Sequence, residues 1–423
     1  MDFNKKDEYW QNRAEQRLIN AEGSTEEMLK SLRKTYEQSI KSIEKEINAF
    51  YGKYATETGL DITEVRKRLD KSELKSFKEQ LKLYYDEVKR LGGYSPSTKD
   101  YLRSLSVKTY ISRLEELQAN IRWHIENLYR QEQIKINDTL KTGYDDSYYR
   151  ATFDIQQGIG FAYTFTALND KVVQKAVSQN WQGSNFSDRI WSDKDKLIST
   201  LEQTIPQGIA LGQNPKKVAR SIAKTLETKY SNAERIARTE MNHVCNDASR
   251  DAYKEVPEVL QEYKVVATLD NRTSDICQNQ DGQVYKMSEW SEGVTAPPFH
   301  PNCRSTTVPY FEDVDLSSYT RLATDYSTGK AYYVPANMTY KEWRASLTEK
   351  QEKDFINDKK AREQHDEDKK QLAEYRKLQN RQPDLFEGMP RTLEEYQAYK
   401  YGEHEKYEIL KENARIVRSE LKY

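Results

Sequence analysis

The stretch Thr268-Leu269-Asp270-Asn271-Arg272-Thr273-Ser274-Asp275-Ile276-Cys277 decides how this chain is read, together with Asp281-Gly282 and Pro297-Pro298-Phe299-His300-Pro301-Asn302-Cys303-Arg304. It holds two of the three cysteines and one of the five histidines of a chain otherwise dominated by charged helical patterns. Residues 262–269 lead into it with a β-rich apolar run that predicts a strand, and residues 283–285 and 305–310 offer two further short strands. Strands this few, set late in a helical chain, predict a predominantly helical α+β fold with one small sheet.

Outside this stretch the composition is polar. Charged residues make up 32% and apolar ones 36% of 423 residues, with a mean hydropathy of -0.98. The 30 tyrosines and 11 phenylalanines argue against wholesale disorder. Long amphipathic helices with thin apolar stripes, flanking one better-packed domain, satisfy both observations, and the length allows two or three domains. The 67 basic and 68 acidic residues leave a net charge of -1, so bulk charge does not mark a nucleic-acid binder. No apolar run is long enough for a secretion signal or a membrane span. Three cysteines, an odd count, fit a reducing cytoplasm better than a disulfide scaffold.

Leu29, Leu32, Tyr36, Ile40, Ile43, Ile47 and Phe50 recur at steps of three and four, which predicts an amphipathic helix over 28–50 stopped near Gly52. The same device predicts helices over 62–91 and 107–140. The stripes drift and hold no heptad, so packing within the chain is preferred to a zipper with a partner. Further on, Ser192 or Asp193 is a candidate helix cap, as is Asn214 before Pro215. Ser231-Asn232-Ala233-Glu234 has the spacing of a capping box.

Cys277, His300 and Cys303 offer thiolate sulfur and imidazole nitrogen, the donors zinc prefers. His300 and Cys303 lie three positions apart in a proline-stiffened loop, so one turn can present both. A closed site needs a fourth ligand, for which Asp270, Asp275 and Asp281 are candidates. Buried structural thiols beside a hydrogen-bonded histidine are a second reading, and a Cys277–Cys303 disulfide a third. A Cys277–His300 catalytic pair oriented by Asp270 is a fourth, but no oxyanion loop or nucleophile turn accompanies it, so no catalytic residue is assigned. Arg272 and Arg304 are expected to form bidentate ion pairs with Asp270 and Asp281. Arg238, Asn242 and Asn246 line one face of a helix, where they are expected to hydrogen-bond a facing loop. His243 has no evident partner.

Taken in order, Trp181-x-Gly183, Ser187-x-Arg189-Ile190, Gly212-x-Asn214-Pro215, Ala237-Arg238-Thr239-Glu240, Asn246, Leu269-Asp270-x-Arg272-Thr273, Cys277, Asp281-Gly282 and the Pro297–Arg304 run resemble the Mu F-like head morphogenesis proteins of tailed phages and prophages. The resemblance covers roughly residues 145–312. Family members often carry additional cysteines where this chain has Ser274 and Ser305, so the metal set is depleted. The resemblance implies a low-copy component of the procapsid, made in the bacterial host cytoplasm and lodged in the capsid interior. Its implied partners are the portal protein, a scaffold or major capsid protein, and double-stranded DNA, with no membrane. It marks Asp270, Arg272, Thr273, Asp281, Gly282, Arg304, Arg238 and Glu240 as a structural motif and implies no cofactor beyond the zinc already weighed. The expected division is a helical region over 1–143, a core over 144–312 and a charged helical extension over 313–423. Assembly without turnover is the leading function. A carrier module for a toxin or enzyme, and a DNA-binding accessory of the virion, stand as alternatives.

Overall fold

The computed structural model describes residues 7–58, 113–159, 164–210, 215–311, 320–325, 328, 330–335, 337–386, 388–390 and 392–420. The helix expected over 62–91 and the Asn214 cap lie outside the described residues. The fold is predominantly helical α+β, and the chain divides into two compact units.

The first unit comprises residues 1–268, 274–321 and 335–337. Its frame is three long helices, α1 (Asp7–Thr58), α2 (Arg113–Ile159) and, after α3 (Asp170–Val177) and α4 (Phe186–Ala210), α5 (Pro215–Lys254). Leu29, Leu32, Tyr36, Ile43 and Ile47 of α1 are buried against Ile121, Ile125 and Leu128 of α2 and Leu226 and Ala233 of α5 in one core. Cross-links run antiparallel along α1 and α2: Arg17 pairs with Asp154, Tyr36 Oη donates to Glu132 at 2.6 Å, and Asn120 Nδ2 donates to Glu46 at 3.0 Å. The apolar stripes of α1 and α2 are therefore consumed within the chain.

Three boundaries differ from the sequence reading. α1 runs through Gly52 because one helical glycine costs only about 1 kcal/mol relative to alanine, while Phe50 and Tyr51 beside it are buried. α4 starts at Phe186, where the Asn185 side chain accepts from Asp188 N at 2.9 Å, so Ser192 and Asp193 lie inside the helix. Asp193 instead accepts from Lys229 Nζ at 2.7 Å and Tyr129 Oη at 3.0 Å, tying α4 to α5 and α2. Ser231 lies in the middle of α5, and its hydroxyl bonds back to Glu227 O, the habit of an interior helical serine. Tyr230, Ala233 and Ala237 stay buried through the expected break, and that packing overrides the local capping signal.

The sheet of this unit has the order β2-β1-β3, with β1 (Glu262–Val266) between β2 (Val284–Lys286) and β3 (Thr306–Tyr310). Both pairings are antiparallel, with Tyr263 opposite Tyr285 on one side and Pro309 on the other. A short helix, α6 (Asp275–Gln280), connects β1 towards β2. The strand expected over 262–269 ends at Val266, because Ala267 N turns to the Asp281 carboxylate at 2.7 Å instead of a neighbouring strand.

The second unit comprises residues 269–273, 322–334 and 338–423. Two strands that the sequence reading missed, β4 (Thr320–Asp325) and β5 (Lys330–Pro335), form a two-stranded sheet. Leu269, Ala323, Val334, Tyr340, Trp343 and Phe355 bury one small core, with α7 (Tyr340–Ala345) and the start of α8 (Glu349–Arg381). A second core joins Leu372 and Leu378 of α8 to Tyr396 of α9 (Leu393–Tyr401) and Leu410, Ala414 and Val417 of α10 (His404–Glu420). Asp368 is fully buried and accepts from Lys400 Nζ at 2.7 Å and Gln397 Nε2 at 2.9 Å. Among the described residues, no helix is long and apolar enough to cross a membrane.

Candidate functional site

Two turns bring the sulfur and imidazole groups together. Ser274 caps α6 by accepting from Cys277 N at 3.3 Å, which puts Cys277 in the first turn with its side chain buried. In the second turn Cys303 N donates to His300 O at 3.1 Å across Pro301 and Asn302. Proline fixes the first central residue, and Asn302 takes the left-handed φ of 60° that asparagine tolerates better than most residues. His300 and Cys303 therefore project from one four-residue turn towards Cys277.

The resulting distances are 3.1 Å from Cys277 Sγ to His300 Nε2 and 3.6 Å from Cys277 Sγ to Cys303 Sγ. The edge of a tetrahedron built from ~2.3 Å zinc–sulfur bonds is about 3.8 Å, so the sulfur pair has the separation of two ligands on one ion. It is far beyond a disulfide bond of about 2.05 Å, and both cysteines are free thiols. His300 Nδ1 faces Pro301 O at 2.8 Å. A proton held there leaves Nε2 as the lone-pair nitrogen facing the sulfurs, the orientation that a metal-bound histidine needs. The Cys303 thiol hydrogen bond holds the Cys277 thiol down to about 6 against its burial, helped by Ser274, Ser305 and the Arg304 charge. The same bond and burial push Cys303 well above the ordinary range. The two thiols are thus driven apart, Cys277 towards the thiolate and Cys303 towards the thiol.

Three of the four ligands of a closed zinc site are thus assembled, and among the described residues no His, Cys, Asp or Glu completes the set. The three aspartates considered for that place are engaged elsewhere or exposed. Asp281 is locked by Arg321, whose NH1 and NH2 reach its two oxygens at 3.0 and 3.1 Å while NH2 also bonds Ala267 O. Asp270 accepts from Arg272 N at 2.9 Å and Thr273 Oγ1 at 3.1 Å, folding the Asp-x-Arg-Thr turn on itself. Asp275 is exposed at the start of α6. Asp270 does not orient His300, whose second nitrogen is taken by the Pro301 carbonyl.

Arg272 reaches Asp270 at 3.6 Å from a mostly exposed position, and Arg321 is a bidentate partner of Asp281. Arg304 contributes its carbonyl, which accepts from Thr268 Oγ1 at 3.2 Å. Gly282 takes a φ of 81° and donates its N–H to Val265 O at 2.9 Å, so the Asp-Gly pair extends the edge of β1. Arg238 points away from this region, to Glu26 and Glu234.

The link between α5 and the motif loop is made by other residues. Asn242 Nδ2 donates to Ser305 O at 2.9 Å, Thr306 Oγ1 donates to Asn246 Oδ1 at 3.3 Å, and Asn302 N donates to Thr239 Oγ1 at 3.0 Å. Helix-to-loop bonding by Asn242 and Asn246 is what their one-face spacing predicts. Glu240 is buried and holds a second clasp: it accepts from Trp181 Nε1 at 2.8 Å and from Arg189, whose NH2 also caps Trp181 O at 2.8 Å. Burial raises the Glu240 carboxyl, and the Trp181 and Arg189 donors oppose that rise. Trp181 stacks on His243, rings 4.4 Å apart and 7° from parallel, so His243 has a partner that no sequence signal announced. An open cleft of about 570 Å³, lined among others by Trp181, Arg189, Arg235, Glu240 and His300, lies over this arrangement.

Thr239, Glu240 and the Pro297–Arg304 turn lie in a stretch that matches a family already defined. Residues 199–308 fit the model described as Phage Mu protein F like protein. The chain therefore carries a Mu F-like region. It is 28% identical over 299 residues to the minor head protein GP7 of Bacillus phage SPP1, a match that covers 67% of this chain and 92% of that protein. It is also 25% identical over 200 residues to the NAD(+)–arginine ADP-ribosyltransferase EFV of Enterococcus faecalis, covering 43% of this chain and 41% of that enzyme. No solved structure matches the chain. These matches make the chain similar to phage head proteins.

Proposed function

We propose that this Mu F-like protein is a low-copy minor head protein of a tailed phage or prophage that joins the portal during procapsid assembly. On this reading it assists head assembly or DNA packaging from the capsid interior. The observation that carries it is the match to a minor head protein over nearly that protein's whole length. The buried clasps around Glu240, Asp281 and Asn242 support it too, since they fix loop to helix without composing a set of catalytic groups. We read 144–312 as the fixed core and the helical regions over 1–143 and 313–423 as the parts that meet portal, scaffold or major capsid protein. Co-expression with the portal of the same phage should give a complex that co-purifies on a tag carried by either partner. Absence of the chain from purified proheads and virions would overturn the proposal.

The cysteine–histidine cluster serves in this reading as a clasp, with no catalytic role. Metal analysis of protein purified without chelator tests the zinc reading: one zinc per chain supports it, and a ratio near zero leaves a thiol clasp alone. The partial match to an ADP-ribosyltransferase supports a second reading, in which this module carries a toxin or enzyme. Incubation with labelled NAD+ and an arginine acceptor should show no transfer if assembly is the whole function. Label incorporated above a heat-inactivated control would favour the carrier reading.

A further inference from the structure

On α5, His243 and Asp247 stand four residues apart, so their side chains leave the same face of the helix. Glu292, from the loop after β2, approaches from the other side, and one donor atom from each of the three lies within 4.8 Å of the others. His243 and Asp247 are each 2% exposed. Yet His243 Nε2 and both Asp247 oxygens receive no aligned hydrogen bond, and Nε2 stops 3.9 Å short of Asp247 Oδ2. Buried polar atoms are nearly always paired, so an unpartnered imidazole nitrogen aimed at two carboxylates needs an explanation.

The protein's own cation does not supply it. Arg250 NH1 lies 2.9 Å from Asp247 Oδ1 and 2.7 Å from Glu292 Oε1, and its Nε lies 3.3 Å from Asp251. One guanidinium thus serves three carboxylates. Lys254 reaches only Asp251, at 3.8 Å from an exposed position. Arg250 approaches Asp247 at Oδ1, whereas His243 faces Oδ2. Among the described residues no donor or acceptor makes a hydrogen bond to that nitrogen.

We propose that His243, Asp247 and Glu292 form a divalent-cation site, with Nε2 and one oxygen from each carboxylate as ligands and water in the remaining positions. One imidazole with two carboxylates is a donor set that suits Mn2+ or Zn2+, unlike the sulfur-rich cluster at Cys277. Arg250 is the positioning group, holding both carboxylates from outside the ligand shell. Glu292, at 24% side-chain exposure, leaves a route for the ion from solvent. Trp181, stacked on His243, places an indole against the site and makes its fluorescence a reporter.

Mn2+ is the probe of choice, because it disfavours thiolate and so bypasses the Cys277 cluster. Calorimetric titration of the chelator-stripped full chain should show one Mn2+ bound, with a change in tryptophan emission. Glu292→Gln and Asp247→Asn should each weaken binding about tenfold or more, while Cys277→Ser leaves it unchanged. Glu292→Gln decides the matter should the buried Asp247 variant fail to fold, since Glu292 is partly exposed. No binding at about 1 mM Mn2+, the weak end of specific affinity, would overturn the proposal. So would a folded Glu292→Gln variant that binds as tightly as the parent, or binding that disappears in Cys277→Ser.

Discussion

Arg321 carries more of the motif than any residue the motif itself contains. Its guanidinium and the Asp281 carboxylate are both almost fully buried, and the pair also fixes Ala267 at the end of β1. Removing one member of such a pair strands the other, at a cost of about 3–5 kcal/mol. Arg321→Ala should therefore lower the urea midpoint steeply, and a loss under about 1 kcal/mol would mean that water replaces the guanidinium without penalty. Asp281-Gly282 was legible because its chemistry is local: a carboxylate and a left-handed glycine in sequence. Arg321 was not, because its partner lies 40 residues away and no spacing rule connects them. Glu132 offers a second test. Burial raises its carboxyl to about 8, Asp193 adds to the rise, and the Tyr36 hydroxyl and Lys229 oppose it. A folded-state value above the unfolded one of about 4.3 means that folding favours the protonated form. Its contribution is complete below about pH 4 and is lost as pH rises towards 8. Glu132→Gln, which does not titrate, should gain on the parent between pH 5 and pH 8 by at least about 1 kcal/mol, one pKa unit being worth ~1.4 kcal/mol. A stability difference that stays constant over that range would show that Glu132 is ionised throughout.

At the scale of elements, apolar period was read well and local punctuation poorly. The stripe from Leu29 to Phe50 faces the core as its spacing requires, yet Gly52, Ser192 and Ser231 all lie inside helices that the capping and breaking signals would have divided. Those signals are worth about 1 kcal/mol each, whereas each buried leucine or tyrosine contributes 1.5–3 kcal/mol or so, so packing decides. The strands β4 and β5 went unread: Thr320–Asp325 has only Leu322 and Ala323 as apolar residues, and Lys330–Pro335, despite Ala331, Tyr332, Tyr333 and Val334, buries little besides Val334. Gly158 shows where a single glycine does matter. A Cβ there would overlap Trp10 Cζ2, part of a rigid ring held in the contact between α1 and α2. Gly158→Ala should gain about 1 kcal/mol of helix propensity and lose more to overpacking, about 1–3 kcal/mol. Net destabilisation in a thermal melt is expected, with recovery in the double variant Gly158→Ala, Trp10→Leu. A stabilised Gly158→Ala would mean that the two helices part easily at this end.

For the whole molecule, charge balance constrains function more than any motif does. A protein that binds duplex DNA through phosphates gains its affinity by releasing condensed counterions, with a slope of about −0.9 per phosphate neutralised on a logarithmic salt axis. That term requires an uncompensated basic surface. Here 67 basic residues face 68 acidic ones, and three arginines of α5 and α8 are already paired on their own helix or a neighbour: Arg238 with Glu26 and Glu234, Arg250 with Asp247, Arg362 with Asp358. An arginine committed to a carboxylate must break that pair before it can meet a phosphate. The full chain at micromolar concentration should accordingly leave the mobility of linear duplex DNA unchanged in about 50 mM salt, where phosphate-driven binding is strongest. A shift that vanishes steeply on raising the salt to about 200 mM would reverse this reading. It would mean that a local basic patch outweighs the overall balance, and would promote the DNA-accessory role over portal-bound assembly.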